Sequence, residues 1–133
     1  MVKPCVECGR VRSLDCFNIN KASYDGLTRI CGDCGKVKHR KWRRSKKGLI
    51  NNMYAGQVAR SLKRGHLPPI YSKEELHDWL QAMPLFHHLH HLWSAAGYDK
   101  MLVPSLDRLD NDEGYTFSNL RLVTWGANDA KAS

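Results

Sequence analysis

The 133-residue sequence has no long hydrophobic run and fewer acidic than basic side chains. No segment approaches the roughly eighteen consecutive apolar residues that a membrane-spanning helix needs, so a membrane partner is not expected. Met1, Val2 and Lys3 lead directly into Pro4 and Cys5, without the apolar core of a secretory signal peptide. We therefore expect a cytoplasmic protein. At this length it would form one or two small domains, and a bound metal often supplements so small a core.

The positive charge is concentrated in the first third of the chain. The whole sequence has 21 Lys and Arg against 13 Asp and Glu, for a net charge of +8. Residues 1–47 contain 13 of the basic side chains against 4 acidic ones, whereas residues 48–133 contain 8 against 9. A concentrated basic segment is typical of a polyanion-binding protein, and nucleic acid is the polyanion we expect here.

Two Cys-X-X-Cys pairs lie 22 residues apart near the start of the chain, Cys5 with Cys8 and Cys31 with Cys34. Four thiolates complete a tetrahedral zinc site, and the two-residue spacing lets both sulfurs of a pair reach one ion. In a reducing cytoplasm, a disulfide framework or two separate redox pairs are less favoured interpretations. The spacing therefore predicts a structural Zn²⁺ site. Cys16 has no partner at ligand spacing and is predicted to be a small packed residue.

A run of basic residues follows the second cysteine pair and is predicted to form a helix that ends at Gly48. Its charges surround the whole helix and are nearly all of one sign, so they repel one another unless phosphates neutralise them. We therefore favour contacts to the DNA backbone over a simply solvated helix face. Such contacts position a protein without reading base sequence. The predicted DNA-binding residues are Lys36, Lys38, Arg40, Lys41, Arg43, Arg44, Lys46 and Lys47.

Three amphipathic helices are predicted between residues 49 and 99, as a helical connector with a supporting core. The first ends near Gly65, with an apolar side formed by Ile50, Met53, Tyr54, Val58 and Leu62. Ser72 and Glu75 form a capping box that opens the second, whose apolar side contains Leu76, Trp79, Leu80 and Met83. Pro84 begins the third, which runs to Ala96 with an apolar side formed by Leu85, Phe86, Leu89, Leu92, Trp93 and Ala96.

The segment from Pro104 to Lys131 has the pattern of strand, loop, strand and helix. Asp107 lies near the middle of the first strand, Asn119 at the start of the second, and Asn128 on the helix. Folding the hairpin against the helix would bring Asp107 and Asn128 to one point. One carboxylate and one amide leave most of a coordination sphere open, which suits a hard cation that keeps its waters and takes phosphate oxygens.

This segment resembles the ββα-metal core of phage and homing-type HNH endonucleases, through the spacing of Asp107, Arg108, Asn119 and Asn128. The resemblance implies that Asp107 and Asn128 hold a catalytic Mg²⁺ or Mn²⁺ ion and that Asn119 braces the loop beside the catalytic strand. Where the family usually has its general-base histidine, this chain has Arg108. A guanidinium stays protonated and cannot take a proton from water, so Arg108 would instead clamp the phosphate.

Four histidines cluster in the third predicted helix. They lie opposite or beside its apolar side and are His87, His88, His90 and His91. His87 and His91 are one turn apart and could share a metal ion, but no nearby carboxylate or cysteine completes a ligand set, so a polar outer face is the favoured interpretation. A third hypothesis is that one of the four histidines substitutes for the missing base, since the pKa of histidine is near neutral.

The sequence thus predicts an α+β fold in three parts: an N-terminal four-cysteine zinc finger with its basic helix at 1–48, a helical connector at 49–99 and the ββα-metal core at 100–133. The zinc segment resembles the treble-clef fingers that precede many phage HNH cores. The resemblance implies a hydrolase that nicks double-stranded DNA as a monomer or homodimer, in the cytoplasm of a bacterial host if it is encoded by a bacteriophage. The alternatives are a catalytically weak or inactive DNA-binding protein that keeps the HNH scaffold, and a module that binds a host enzyme through the basic helix.

Overall fold

The chain divides after Trp42 into two units, Met1–Trp42 and Arg43–Ser133. A computed structural model describes the backbone of residues 1–132 and the side chains of residues 1–128. The fold is α+β, as predicted, and the sheets are three separate antiparallel pairs of strands. Over the described part of the chain, no helix combines the length and the hydrophobicity that crossing a bilayer requires.

The first unit consists of two small hairpins followed by a helix. Its elements are β1 (Val2–Pro4), β2 (Val11–Ser13), β3 (Phe17–Ile19), β4 (Leu27–Cys31) and α1 (Gly32–Arg44), which extends two residues past the boundary. Gly26 turns the β3–β4 hairpin with a φ of 75°, a left-handed conformation that glycine adopts without strain. Cys5, Phe17 and Cys31 form the buried core of this unit, and Cys16 packs against them as predicted. So small a core provides little hydrophobic stabilisation by itself.

The basic helix ends earlier than predicted. Ser45 takes an extended conformation and caps the next helix, its Oγ accepting a hydrogen bond from the Gly48 backbone N–H. This cap divides the basic segment between two helices, and Gly48 lies buried in the first turn of the second one. The predicted end at Gly48 was therefore wrong, because the serine cap two residues before Lys47 satisfies the free N–H groups of a helix start.

The second unit packs four helices and a hairpin around one core. Its elements are α2 (Lys46–Lys63), α3 (Lys73–Gln81), α4 (Pro84–Ala95), β5 (Pro104–Arg108), β6 (Leu120–Thr124) and α5 (Trp125–Ala132). The capping box of α3 is confirmed, because Ser72 and Glu75 exchange both hydrogen bonds. Leu76, Leu80 and Phe86 are fully buried, as predicted, and they share a core with Leu106 and Leu122 of the hairpin.

Two helices bury most of the predicted side but leave part of it exposed. In α2, Leu62 is 72% exposed, whereas the polar residues Gln57 and Ser61 are buried. Gln57 is drawn inward by Tyr71, whose hydroxyl donates to its Oε1 over 2.5 Å. In α4, Leu85 and Leu92 are exposed. Periodicity alone predicted these faces, but the position of the neighbouring elements decides which apolar residues find a partner.

Candidate functional sites

The four cysteines of the two Cys-X-X-Cys pairs converge in the first unit, as predicted. Cys5 follows β1, Cys31 ends β4, and Cys34 lies in the first turn of α1. Cys8 lies in the turn that Gly9 closes with a φ of 74°. The backbone N–H of Gly9 donates a hydrogen bond to the Cys5 carbonyl. The four sulfur atoms all lie within 4.8 Å of one another. In the part of the chain that the structure describes, they are the one such group of three or more potential metal ligands.

The spacing of the sulfur atoms fits one tetrahedral metal ion. The Cys5 and Cys34 sulfurs are 3.7 Å apart. Two thiolates at the usual Zn–S distance of about 2.3 Å and a tetrahedral angle would lie roughly 3.8 Å apart, whereas a disulfide requires about 2.05 Å. The cluster can therefore hold a structural metal ion such as zinc.

The backbone around the cluster favours thiolates. Burial opposes ionisation of the Cys5 thiol. The backbone N–H groups of Cys8 and Cys31, at 3.5 and 3.3 Å from Cys5 Sγ, outweigh the effect of burial, so the pKa of Cys5 is lowered to about 6. The backbone N–H of Cys34 likewise lowers the pKa of Cys31. Cys34 shows the opposite shift, because its hydrogen bond to the Cys31 sulfur favours the protonated thiol and raises its pKa. Thiolate is the form that binds a soft metal.

Arg12 of β2 supports the cluster from outside, and the sequence reasoning missed it. Its Nη1 donates to the Cys31 sulfur at 3.5 Å and to Asp33 Oδ2 at 2.8 Å. This pairing lowers the pKa of the Asp33 carboxyl. Four thiolates around one Zn²⁺ carry a net negative charge, so a guanidinium hydrogen-bonded to a ligand sulfur offsets part of it. Arg12 and Cys31 are far apart in the sequence, so no local sequence pattern predicts this contact.

The predicted DNA-binding residues have unequal surroundings. Most are exposed: Lys36, Lys38, Arg40, Lys41, Arg43 and Lys47. Arg44 and Lys46 are half-buried in the second unit. The Arg44 guanidinium lies 4.2 Å from the centre of the Tyr98 ring, and Lys46 Nζ lies 2.7 Å from His87 Nδ1. These two basic side chains therefore also contribute to packing within the second unit.

A cavity of about 570 Å³ in the second unit is lined by Asp107 of β5 and Asn128 of α5 together. The two residues are far apart in sequence, and the hairpin brings them to one cavity because β6 leads directly into α5. The start of α5 is fixed by Trp125, whose N–H donates to the Val103 carbonyl at 2.8 Å. The cavity thus presents a carboxylate and an amide to the same space.

Asp107 is nearly buried and is held from one side by Arg121. The two residues are direct partners in the β5–β6 register, with Arg121 Nη2 at 3.5 Å from Asp107 Oδ2. Side chains opposite each other on an antiparallel pair share one face of the hairpin. The carboxylate at the cavity wall therefore has a positively charged neighbour on one side.

Asn119 ties the loop between β5 and β6 to the second strand. Its Oδ1 accepts from the Asp110 N–H at 2.8 Å, and its Nδ2 donates to the Asp110 and Gly114 carbonyls at 3.0 and 2.9 Å. The Asn119 carbonyl also accepts from the Leu109 N–H. Asn119 is buried, and these bonds satisfy both polar atoms of its side chain.

Arg108 lines the cavity and is tethered to the same loop. Its Nη1 donates to the carbonyls of Asn111 and Glu113 at 3.2 and 3.0 Å. Its guanidinium also lies 5.3 Å from the centre of the Tyr115 ring. Two further arginines line the cavity, Arg60 in the last turn of α2 and Arg64 at its C-cap. Nothing in the local sequence indicates that this end of α2 packs near the hairpin.

The histidines of α4 are not among the described residues that line the cavity. His87 bonds to Lys46 and to the Gln81 carbonyl, and His90 Nε2 lies 2.8 Å from the Arg44 carbonyl. His88 and His91 are exposed, and the structure brings them to no metal-ligand group among the described side chains.

Asp110, in the loop between β5 and β6, has a turn role. Asp110 Oδ1 accepts from the Asp112 N–H at 2.9 Å, as expected of a turn residue. Asp129 of α5 has a side chain outside the described residues.

The molecule thus has two sites of different chemistry: a sulfur cluster suited to a soft structural metal, and a polar cavity whose described lining includes three arginines, one aspartate and two asparagines. The second combination suits an anion with a hard cation beside it. No protein-family model, no curated protein and no solved structure matches this chain.

Proposed function

We propose that this protein is a metal-dependent DNA endonuclease of the HNH type, with a zinc finger that assists binding to the DNA backbone. The observation that supports the proposal most is that Asp107 and Asn128 line one cavity. They occupy the positions that the HNH resemblance assigns to the catalytic ion. The β5–β6–α5 order that brings them there is the strand, strand and helix order of a ββα-metal core.

The donor set of the cavity suits Mg²⁺ or Mn²⁺. Such ions are often held by one or two protein oxygens and complete their coordination with water and substrate phosphate. Asp107 and Asn128 would supply the two protein oxygens. When bound there, the ion would stabilise negative charge on the phosphoryl and leaving-group oxygens during hydrolysis.

Arg108 would contribute to the same charge stabilisation. Its Nη1 is anchored to two loop carbonyls, so the guanidinium is held in position at the cavity wall. A planar cation that is already oriented stabilises a phosphorane-like transition state without further reorganisation. Because it cannot accept a proton, water must lose its proton to another acceptor. An enzyme without a positioned base loses about 10² to 10⁴ in rate, so we expect slow cleavage.

The first unit would anchor the protein on DNA. The exposed lysines and arginines of α1 can neutralise backbone phosphates and release counterions, which gives affinity without base readout. The zinc ion would stabilise the small unit from which α1 extends.

A second candidate function is a DNA-binding protein that keeps the scaffold but does not cleave. The observation that favours it is the absence of a histidine among the described residues of the cavity wall, at a site where Arg108 replaces the expected base. In this case the cavity would bind backbone phosphate without hydrolysing it.

Incubating the purified protein with supercoiled plasmid and Mg²⁺ or Mn²⁺ tests the proposal. The endonuclease should produce nicked circles with the unaltered chain, and Asp107→Ala should abolish nicking while gel shifts persist. Asp78→Ala, which removes one exposed carboxylate from α3, is the matched control and should nick normally. Salt-sensitive gel shifts without nicking by any variant would instead establish the second candidate.

The same assay tests the histidine hypothesis. His87, His88, His90 and His91 are each replaced by Gln, singly and together. If the fourfold variant folds and nicks at the normal rate, no histidine of α4 is the base.

A further inference from the structure

Two arginines from the C-terminal end of α2 line the cavity, Arg60 in its last turn and Arg64 at its C-cap, although they lie forty or more residues before the hairpin. Arg64 keeps a near-helical backbone at the C-cap, so it lies one turn beyond Arg60 on the same side of the helix end. With Arg108 they put three guanidiniums around the cavity, against the one carboxylate of Asp107. Like charges brought together in this way repel one another, and a bound anion removes that repulsion.

Tyr115 links two of these guanidiniums. Arg60 Nε donates to the Tyr115 hydroxyl at 3.2 Å, while the Arg108 guanidinium lies 5.3 Å from the centre of the Tyr115 ring. Tyr115 is buried, so its hydroxyl is a fixed acceptor and not a mobile surface group. The bond through Nε does not use the N–H groups of Nη1 and Nη2, which can bind a phosphate end-on.

The backbone of α2 leaves space for this arrangement. A Cβ atom on Gly56 would lie 3.1 Å from Arg60 Nη1, which is closer than ordinary van der Waals contact. Gly56 precedes Arg60 by one helical turn, so the absence of a side chain there lets the guanidinium lie against the helix. Glycine inside a helix costs up to about 1 kcal/mol relative to alanine, so its presence in α2 is consistent with a packing role.

We propose that Arg60 and Arg64 form a phosphate-binding element for the nucleic-acid backbone and that Tyr115 is the residue that positions Arg60. This inference deepens the proposed function and rests on it for the identity of the substrate. In chemical terms, a tetrahedral oxyanion binds in the cavity through the side chains of Arg60 and Arg64. These residues would place the DNA strand beside Asp107 and Arg108, and they would act in binding and not in proton transfer.

The test is a titration of the zinc-loaded full chain with inorganic phosphate, followed by amide chemical shifts in NMR spectra. Phosphate should shift and saturate the amides of Asp107, Arg108 and Asn111. Arg60→Gln should weaken phosphate binding about tenfold, as expected for the loss of charge-assisted hydrogen bonds. Lys63→Gln removes the same charge from the exposed last turn of α2 and is the matched control, with an expected change below about twofold.

Tyr115→Phe separates positioning from packing. It keeps the ring beneath Arg108 and in the core but removes the acceptor of the Arg60 bond, so phosphate should bind several-fold more weakly while the spectrum stays that of a folded chain. Arg60→Lys should not restore affinity, because an ammonium lacks the planar fork. Equal phosphate affinities for Arg60→Gln and Lys63→Gln, or an unchanged affinity in Tyr115→Phe, would overturn the inference.

The plasmid assay keeps this inference distinct from the proposed function. If the chain never nicks DNA but Arg60→Gln selectively loses phosphate, the binding element stands and the nuclease assignment fails. Suppose instead that Asp107→Ala abolishes nicking but Arg60→Gln changes neither the KM for DNA nor the affinity for phosphate. The nuclease assignment then stands and the binding element fails. Where both hold, Arg60→Gln should raise KM more than it lowers kcat.

Discussion

Asp107 and Arg121 face each other across the β5–β6 hairpin as register partners, with Asp107 Oδ2 at 3.5 Å from Arg121 Nη2. The carboxylate is nearly buried, whereas the arginine side chain is 53% exposed. A metal ion that binds Asp107 would therefore share this carboxylate with a cation that is already present. Because solvent screens the exposed guanidinium, its effect on such an ion should be modest.

Replacing Arg121 should strengthen metal binding at Asp107. Arg121→Gln removes a positive charge beside the carboxylate, so Mn²⁺ should bind up to about fivefold more tightly, as measured by electron paramagnetic resonance of free Mn²⁺. Arg121→Lys keeps the charge and serves as the control. Weaker Mn²⁺ binding in Arg121→Gln would instead show that the guanidinium orients the carboxylate toward the ion.

Replacing Asn119 should loosen the β5–β6 loop. Asn119→Ala leaves the Asp110 N–H and the Gly114 carbonyl without their side-chain partner, at a cost of about 1–3 kcal/mol in the free energy of unfolding. Asn119→Asp keeps the acceptor for Asp110 but sets an oxygen against two carbonyls, so it should be no more stable than Asn119→Ala. Chemical denaturation monitored by circular dichroism gives both values. A loss below about 0.5 kcal/mol in Asn119→Ala would contradict the bracing role.

Gly126 lets the start of α5 approach the backbone of the preceding segment. A Cβ atom there would lie 2.9 Å from the Met101 carbonyl oxygen and 2.9 Å from Met101 Cε. The carbonyl cannot move as easily as a side chain, so Gly126→Ala should destabilise the protein by about 1–3 kcal/mol despite alanine's higher helix propensity.

Gly35→Ala is the contrasting variant for Gly126→Ala. A Cβ atom on Gly35 in α1 would meet nothing within 4 Å, so this change should be neutral or stabilising by up to about 1 kcal/mol. Thermal unfolding of the two zinc-loaded variants makes the comparison. Similar melting temperatures for both would show that α5 can shift away from Met101 without loss.

The buried tyrosine Tyr71 should make stability depend on pH in alkaline solution. Burial raises the pKa of its hydroxyl, so the folded state keeps a proton that the unfolded chain releases near pH 10. The stabilisation from the neutral hydroxyl is therefore complete below pH 10 and is lost as the pH rises above it, by at most about 1.4 kcal/mol per pH unit.

Tyr71→Phe isolates this contribution from other titrating groups. At neutral pH the variant should be less stable by about 1–3 kcal/mol, because Gln57 loses its donor inside the core. Above pH 10 only the unaltered chain has the ionising hydroxyl, so the difference in urea midpoint should narrow. A difference that stays constant up to about pH 11 would rule out ionisation of Tyr71 as its cause.

Removal of the metal should unfold the first unit selectively. Its core consists of Cys5, Phe17 and Cys31, so metal binding would supply much of its folding free energy. We expect one zinc ion per chain by atomic emission, and a strong chelator should collapse the NMR signals of residues 1–42 while those of the second unit remain dispersed. Cys8→Ser should lose zinc, whereas Cys16→Ser should retain it. Retention of zinc by Cys8→Ser would contradict the four-sulfur site.

Features that depend on neighbouring residues could be predicted from the sequence. The convergence of the two Cys-X-X-Cys pairs and the Ser72 capping box are both confirmed. The ligand spacing within each pair and the capping box are each specified by residues within a few positions of one another. The buried faces of α2 and α4 could not be predicted in full. Gln57 is buried because Tyr71 supplies its partner, and helical periodicity treats both as polar residues that belong outside.

The sequence by itself determined the ligand types of the sulfur cluster, the order of strands and helices from α1 to α5, and the excess of positive charge at the start of the chain. Only the tertiary structure decided that Arg60 meets Tyr115, that Arg12 meets Cys31, and that α2 shares a cavity with the hairpin. The spacing of residues along the chain determines the relative positions of side chains only over one or two turns of backbone. Contacts between distant segments depend on how whole elements pack, and so on the burial of all their side chains together.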